Sequence, residues 1–305
     1  MLCAGGDRTV PDSSMSPAAR GYLEHALDLL EGKALDRFTV NWPKVRVEAF
    51  ARARDARVPA DTHRAIRGAI STIGNRHTTL LEPAVASAAF PAGTAVPRGD
   101  LLDGRFARLT IPGFQADQTA AERYVSAGQD VIKRLDAAAP CGWLIDLGTN
   151  TGGNMWPMVT VLAPLLGDGR AGSFVGPDGS RIAWSVRGDH VLQGERTMGT
   201  NPVRLKTPSP PVAILVSQDT ISSGEATLVS FLGLDRVRTF GQPTAGFSTA
   251  NESFELSDGA LLIVTTATMA DRTGRRYGKS IAPDERTGDQ VAAATAWLAR
   301  DPACA

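Results

Sequence analysis

Residues 211–233, PVAILVSQDTISSGEATLVSFLG, constrain this chain more than any other stretch. The unbroken run Val212 to Val216 leaves no polar face for water, so it predicts a short strand buried on both sides. A polar turn follows, and Ala226, Leu228, Val229 and Phe231 then set a helical spacing. A strand that feeds straight into a helix belongs to a sheet with helices packed on it. Ser222, Ser223 and Gly224 sit at the changeover. The first N–H groups of a helix have no internal partner, so a hydroxyl here could attack a carbonyl with an oxyanion site beside it. It could also be a plain N-cap, with Glu225 as the acidic half of a capping box. Taken alone the stretch favours the cap, because capping serines far outnumber catalytic ones.

The chain has 305 residues, 43% of them hydrophobic, enough for one large catalytic domain and a smaller appendage with no need of staples. Lys plus Arg and Asp plus Glu are both 32, and this balance carries no footprint of a nucleic-acid partner or an anionic membrane. There is no apolar run of membrane-spanning length and no intact signal peptide, so the chain reads as soluble. Cys3, Cys141 and Cys304, with His25, His63, His77 and His190, form no metal-ligand spacing, and neither metal nor other cofactor is expected. An odd, sparse cysteine count suits a reducing cytosol, which makes a cytoplasmic location the first expectation. The alternative is an exported or cell-surface protein whose leader has been removed, with Cys141 bridged to Cys304.

Along the chain, residues 1–15 read as a flexible lead-in. Residues 16–83 repeat apolar positions three and four apart in three segments, with start signals at Ser16 before Pro17, at Asn41 before Trp42 and Pro43, and at Ala60 with Asp61. They predict a small helical bundle. Gly74 and Asn75 end its last helix, which places His77 on the turn beyond. The Pro- and Ala-rich residues 84–103 read as a linker, and 104–305 as the main domain. There the strand 105–114, the helix 116–136 and the strand 141–147 give the βαβ rhythm of a mostly parallel sheet. Residues 172–204 alternate like antiparallel strands, and 253–268 read as a hairpin turning at Asp258 and Gly259.

Between the second strand and its helix lies GTNTGGNMWPM, where Gly152 and Gly153 let the backbone approach a ligand without a Cβ in the way. There is no third glycine for a dinucleotide fingerprint and no Gly-Lys-Ser/Thr for a P-loop, which disfavours a nucleotide enzyme.

Five motifs in this order resemble the S41 serine peptidases, the group of tail-specific, C-terminal-processing and tricorn-type proteases: NRHTT, IDLGTNTGG, TISSGEA, GQPTAG and SIAPDE. GGNMWPM, TISSGE, GQPTAGFSTANE, LSDG and DRTG are most similar to the nisin-resistance-protease branch. The resemblance implies an α/β (α+β), crotonase-like catalytic core with an N-terminal helical cap and no PDZ domain. The stretch between His77 and Arg105 is indeed too short for an inserted domain.

The resemblance places the nucleophile at Ser222, with Ser223 as its rival, and the general base at His77. It places the oxyanion hole at the Ser223 N–H with Gly152 or Gly153. Asn150 would brace the glycine turn, Thr244 and Gly246 would support the site from the following loop, and Met155 and Trp156 would line the cleft or pack in the core. Phe247 stands where the Ser/Lys branch has its base, which argues for a Ser/His dyad. A third catalytic carboxylate has no counterpart, since Tyr277 or Ala282 aligns there. Asp271, Arg272 and Thr273 read as a turn. The function implied is hydrolysis of an extended peptide, a C-terminal or lantibiotic-like one among the candidates. A hydrolase of a small ester, lactone or amide, and a non-catalytic peptide- or ligand-binding protein on the same fold, are the alternatives.

Overall fold

The computed structural model describes residues 14–88 and 95–304, and nearly all of the lead-in lies outside them. In chain order it opens with helices α1 (Pro17–Lys33), α2 (Trp42–Arg52) and α3 (His63–Ile73), strand β1 (Thr79–Leu81) and helix α4 (Pro83–Ala88). Then come β2 (Arg98–Leu102), β3 (Phe106–Thr110), α5 (Gln118–Ala137), β4 (Gly142–Asp146) and α6 (Met155–Leu166). Strands β5 (Gly169–Val175), β6 (Arg181–Arg187), β7 (His190–Gln193) and β8 (Arg196–Thr200) follow, then β9 (Val212–Val216), α7 (Ser223–Phe231) and β10 (Val237–Gly241). The chain closes with β11 (Thr249–Glu255), β12 (Leu261–Asp271), β13 (Glu285–Arg286) and α8 (Gln290–Leu298). Among the described residues no helix is long and apolar enough to cross a membrane.

Two compact units result. The first joins the helical segment to residues 251–265. Its helices start where the sequence signals them: Ser16 accepts a hydrogen bond from the Ala19 N–H, and Asn41 accepts one from Lys44. Asp61 does not cap α3; its carboxylate turns back to the Arg57 and Val58 N–H groups. Leu23, Leu27 and Leu30 of α1, Val45 of α2 and Ile66 of α3 share one core with Leu256, Leu262 and Val264. That hairpin lies in the stretch 104–305 expected to form the main domain, but its apolar side chains pack among the helices. Tyr22 Oη and His63 Nε2 lie 2.7 and 2.8 Å from the two carboxylate oxygens of Asp258, which ties the hairpin turn to α1 and α3. Antiparallel pairing of Thr79–Leu81 with Leu261–Ile263 completes the unit.

In the second unit the sheet order is β13-β10-β9-β4-β3-β2, parallel except for the pairing of β2 with β3. Period-two alternation explains why its central strands are apolar throughout. Trp143, Ile145, Val212, Ile214 and Val216 face a core shared with α5, α6 and α7, whereas Leu144, Ala213 and Leu215 face α8 through Ala294 and Leu298. Strand β2 lies inside the stretch read as linker, where the Pro and Ala around it mask a short edge strand. The antiparallel strands β5 to β8 pair in sequence, and Thr268–Asp271 of β12 pair with β5.

Cys141, just before β4, is bridged to Cys304 beyond α8, with their Cα atoms 5.0 Å apart. This is the pairing that the sequence left open for an exported chain. Its closed loop is long (sequence separation 163), and on a chain-entropy basis it destabilises the unfolded chain by at most about 5 kcal/mol. The Arg105 guanidinium donates to the Cys304 carbonyl and secures that end.

Candidate active site

Strand β9 delivers its chain into a sharp elbow, and Ser222 occupies the elbow with φ 51° and ψ −109°. A side chain rarely adopts that conformation, at a cost of roughly 1–3 kcal/mol, and it persists only where neighbours hold it. Here the holder is Glu225, one turn into α7 and wholly buried. Its Oε2 accepts the Ser222 N–H at 3.0 Å and the Phe247 N–H at 2.7 Å; its Oε1 accepts the Thr244 hydroxyl at 2.6 Å and the Gly246 N–H at 3.0 Å. Burial pushes the Glu225 carboxyl up from its ordinary value, and these hydrogen bonds oppose that. The Glu225 carboxylate accepts the Ser222 N–H as in a capping box, and the Ser222 hydroxyl makes no cap hydrogen bond.

The glycine turn after β4 lies against this elbow. Asn150 is fully buried, its Nδ2 donating to the Ile111 carbonyl at 2.9 Å and its Oδ1 accepting the Gly152 N–H at 3.0 Å. Its own carbonyl accepts the Ile221 N–H at 2.9 Å, so one residue braces the end of β3, the glycine turn and the elbow. A Cβ on Gly152, where φ is +91°, would sit 2.7 Å from the Ile221 oxygen and 3.1 Å from the Ser222 Cβ. A Cβ on Gly153 would collide with the Phe114 carbonyl. Both positions therefore require glycine for close approach. The Ser223 hydroxyl donates to the Gly153 carbonyl, which engages the rival nucleophile. The two glycines differ in their N–H groups. That of Gly152 is committed to Asn150, whereas those of Gly153 and Ser223 make no hydrogen bond among the described residues.

The loop after β10 closes the other side. Thr244 exchanges backbone and side-chain hydrogen bonds with Ile281 and Ser280, and the Ala245 N–H donates to the Thr220 carbonyl at 3.1 Å. Thr244 and Gly246 thus act on Ser222 through Glu225.

The strained elbow, the glycine turn and the loop that closes on them lie within residues 105–287, the stretch matched by the model of peptidase family S41. The chain belongs to peptidase family S41. It is a hydrolase, a serine-type peptidase. A nisin-resistance protein of Lactococcus lactis subsp. lactis is 28% identical over 287 residues, covering 92% of this chain and 87% of its own. The structure of a lipoprotein from Streptococcus agalactiae, 27% identical, superposes with a TM-score of 0.82 over 93% of this chain and 96% of its own. The photosystem II D1 C-terminal processing protease, 15% identical, shares the fold, with a TM-score of 0.67 over 95% of this chain and 99% of its own.

Met155 is buried in the core, and Trp156 packs edge-on to Phe174, with ring centroids 6.4 Å apart. Asp271 holds a turn, accepting from the Thr273 and Tyr277 hydroxyls at 2.6 and 2.7 Å. His77 belongs to the helical unit, half-buried on the turn between α3 and β1, and burial pushes its imidazole down to about 4. The reach of Glu225 is not legible in the sequence: its spacing from Ser222 signals a cap, and nothing local links it to Thr244, Gly246 and Phe247.

Proposed function

We propose that this S41 peptidase cleaves extended peptides by a Ser222–His77 mechanism. Ser222 Oγ attacks the scissile carbonyl while His77 takes its proton, and the tetrahedral oxyanion is held by the Ser223 and Gly153 N–H groups. Collapse expels the amine, protonated by His77, and water then releases the acyl group by the same steps. The strained elbow carries this reading, since Ser222 is held at φ 51° by a buried carboxylate while its hydroxyl serves no cap.

We place the substrate among peptide antibiotics of the lantibiotic kind and the chain in an exported, oxidising location. The likeness to a nisin-resistance protein supports the substrate class. The Cys141–Cys304 bridge and the likeness to a lipoprotein support the location, against the cytosolic expectation.

The base must be neutral to accept a proton, and a histidine lowered to about 4 stays neutral as the medium acidifies from pH 7.5 to 6. Across that interval kcat/KM of the wild type will change less than about twofold, whereas an ordinary imidazole would lose about fourfold. The assay is mass-spectrometric: a lantibiotic is incubated with wild type and His77→Ala, and fragments are followed against pH. No fragment from any peptide, together with turnover of small esters, would move the assignment to the small-molecule hydrolase.

A further inference from the structure

The turn that carries His77 is held by a polar network for which the mechanism above has no use. The His77 N–H donates to Asn75 Oδ1 at 3.0 Å, and the same oxygen accepts the Thr265 hydroxyl at 3.0 Å. Asn75 Nδ2 donates to Asp36 Oδ2, also at 3.0 Å. One residue further on, Thr78 Oγ1 accepts the Thr265 N–H at 3.0 Å, and the Thr265 carbonyl accepts the Leu35 N–H at 2.7 Å. Thr265 and Thr78 are buried, with 0% and 4% exposure, so the bond between them is shielded from competing water, while those of Asn75 are part-buried.

All of these residues belong to the helical unit. The loop after α1, the turn after α3 and strand β12 therefore meet at one carboxamide. Asn75 is not needed to end α3, which Gly74 does by itself with φ +77°.

We infer that Asn75, oriented by Asp36, is a positioning residue for the base: it fixes the backbone from which the His77 imidazole projects. The inference rests on His77 being that base. A carboxamide is required at 75 because the position must accept from His77 and Thr265 on one side while donating to a carboxylate on the other. An aspartate keeps the first function and loses the second, setting a carboxylate oxygen against Asp36 Oδ2. The repulsion displaces the turn, and an imidazole moved by about an ångström loses alignment with the proton it must take.

The test is a charge swap in the full chain, read as kcat and KM on a cleaved peptide. Asn75→Asp will lower kcat by about tenfold or more with KM within about twofold, the signature of an interaction that matters in the transition state. Asp36→Asn will stay close to wild type, because the carboxamide oxygen it introduces can still accept from Asn75. Asp36→Asn with Asn75→Asp restores a donor facing an acceptor, and kcat will return to within about threefold of wild type. Rates are taken per folded molecule, with melting temperatures read alongside, because a purely structural role would lower apparent kcat only in step with the folded fraction. The inference is overturned if Asn75→Asp keeps wild-type kcat, or if the double variant is no faster than Asn75→Asp. His77→Ala separates the two levels. If it retains full turnover, the base assignment falls and this inference with it. If it is inactive while Asn75→Asp is unimpaired, only the inference falls.

Discussion

Ser222→Gly will melt at a higher temperature than the wild type and will hydrolyse no peptide. The stabilisation follows from φ 51° and ψ −109° at a residue that bears a side chain. Glycine relieves roughly 1–3 kcal/mol of strain and returns roughly 0.5–1 kcal/mol in greater unfolded-state entropy, a net gain of about 1 kcal/mol. For a domain of this size that is an increase of about 2 °C or more, readable by calorimetry. Loss of the hydroxyl will lower kcat/KM by at least about 10⁴-fold. Ser222→Ala separates the two effects, since it will lose the same activity without the gain in melting temperature. A glycine variant that melts lower than Ser222→Ala would show that the elbow is not strained.

Glu225→Gln will cause the largest loss of stability for the smallest change in shape. All four groups that meet this carboxylate are donors: the Ser222, Gly246 and Phe247 N–H groups and the Thr244 hydroxyl. An amide presents its own N–H groups to two of them, whichever way it turns. Turned one way the amide leaves the Ser222 and Phe247 N–H groups unsatisfied; turned the other it leaves the Gly246 N–H unsatisfied and makes the Thr244 hydroxyl accept instead of donate, a cost of roughly 1–3 kcal/mol by urea unfolding. The elbow and the loop after β10 lose their common anchor, so kcat will fall by about 100-fold or more. Full stability and full activity in Glu225→Gln would mean that something other than this carboxylate holds Ser222.

What could be read from the sequence follows the range of the interactions. The β9 run, the βαβ unit and the capped helices depend on neighbours a few residues apart, and they stand where periodicity and caps place them. The glycine turn was readable because close approach demands glycine, and Asn150 because its bracing is local in part. The hairpin of Leu256, Leu262 and Val264 shows its alternation in sequence, but alternation does not say which core receives its apolar face. Strand β2 is edge-on and mostly exposed, so composition hid it. Cysteine parity counts thiols and cannot decide the bridge, which depends on where α8 ends. Glu225 and Asn75 were assigned only their local tasks, as cap and helix end. Their partners come from the loop after β10, the loop after α1 and strand β12, and only tertiary structure brings these together.

The assignment of Ser222 is tested most directly by intact-mass measurement after exposure to a fluorophosphonate probe, on the wild type and on Ser222→Ala, Ser223→Ala and His77→Ala. One adduct is expected on the wild type and on Ser223→Ala, whose hydroxyl serves the Gly153 carbonyl, and none on the other two. An adduct that survives in Ser222→Ala and disappears in Ser223→Ala would contradict that assignment and make Ser223 the nucleophile.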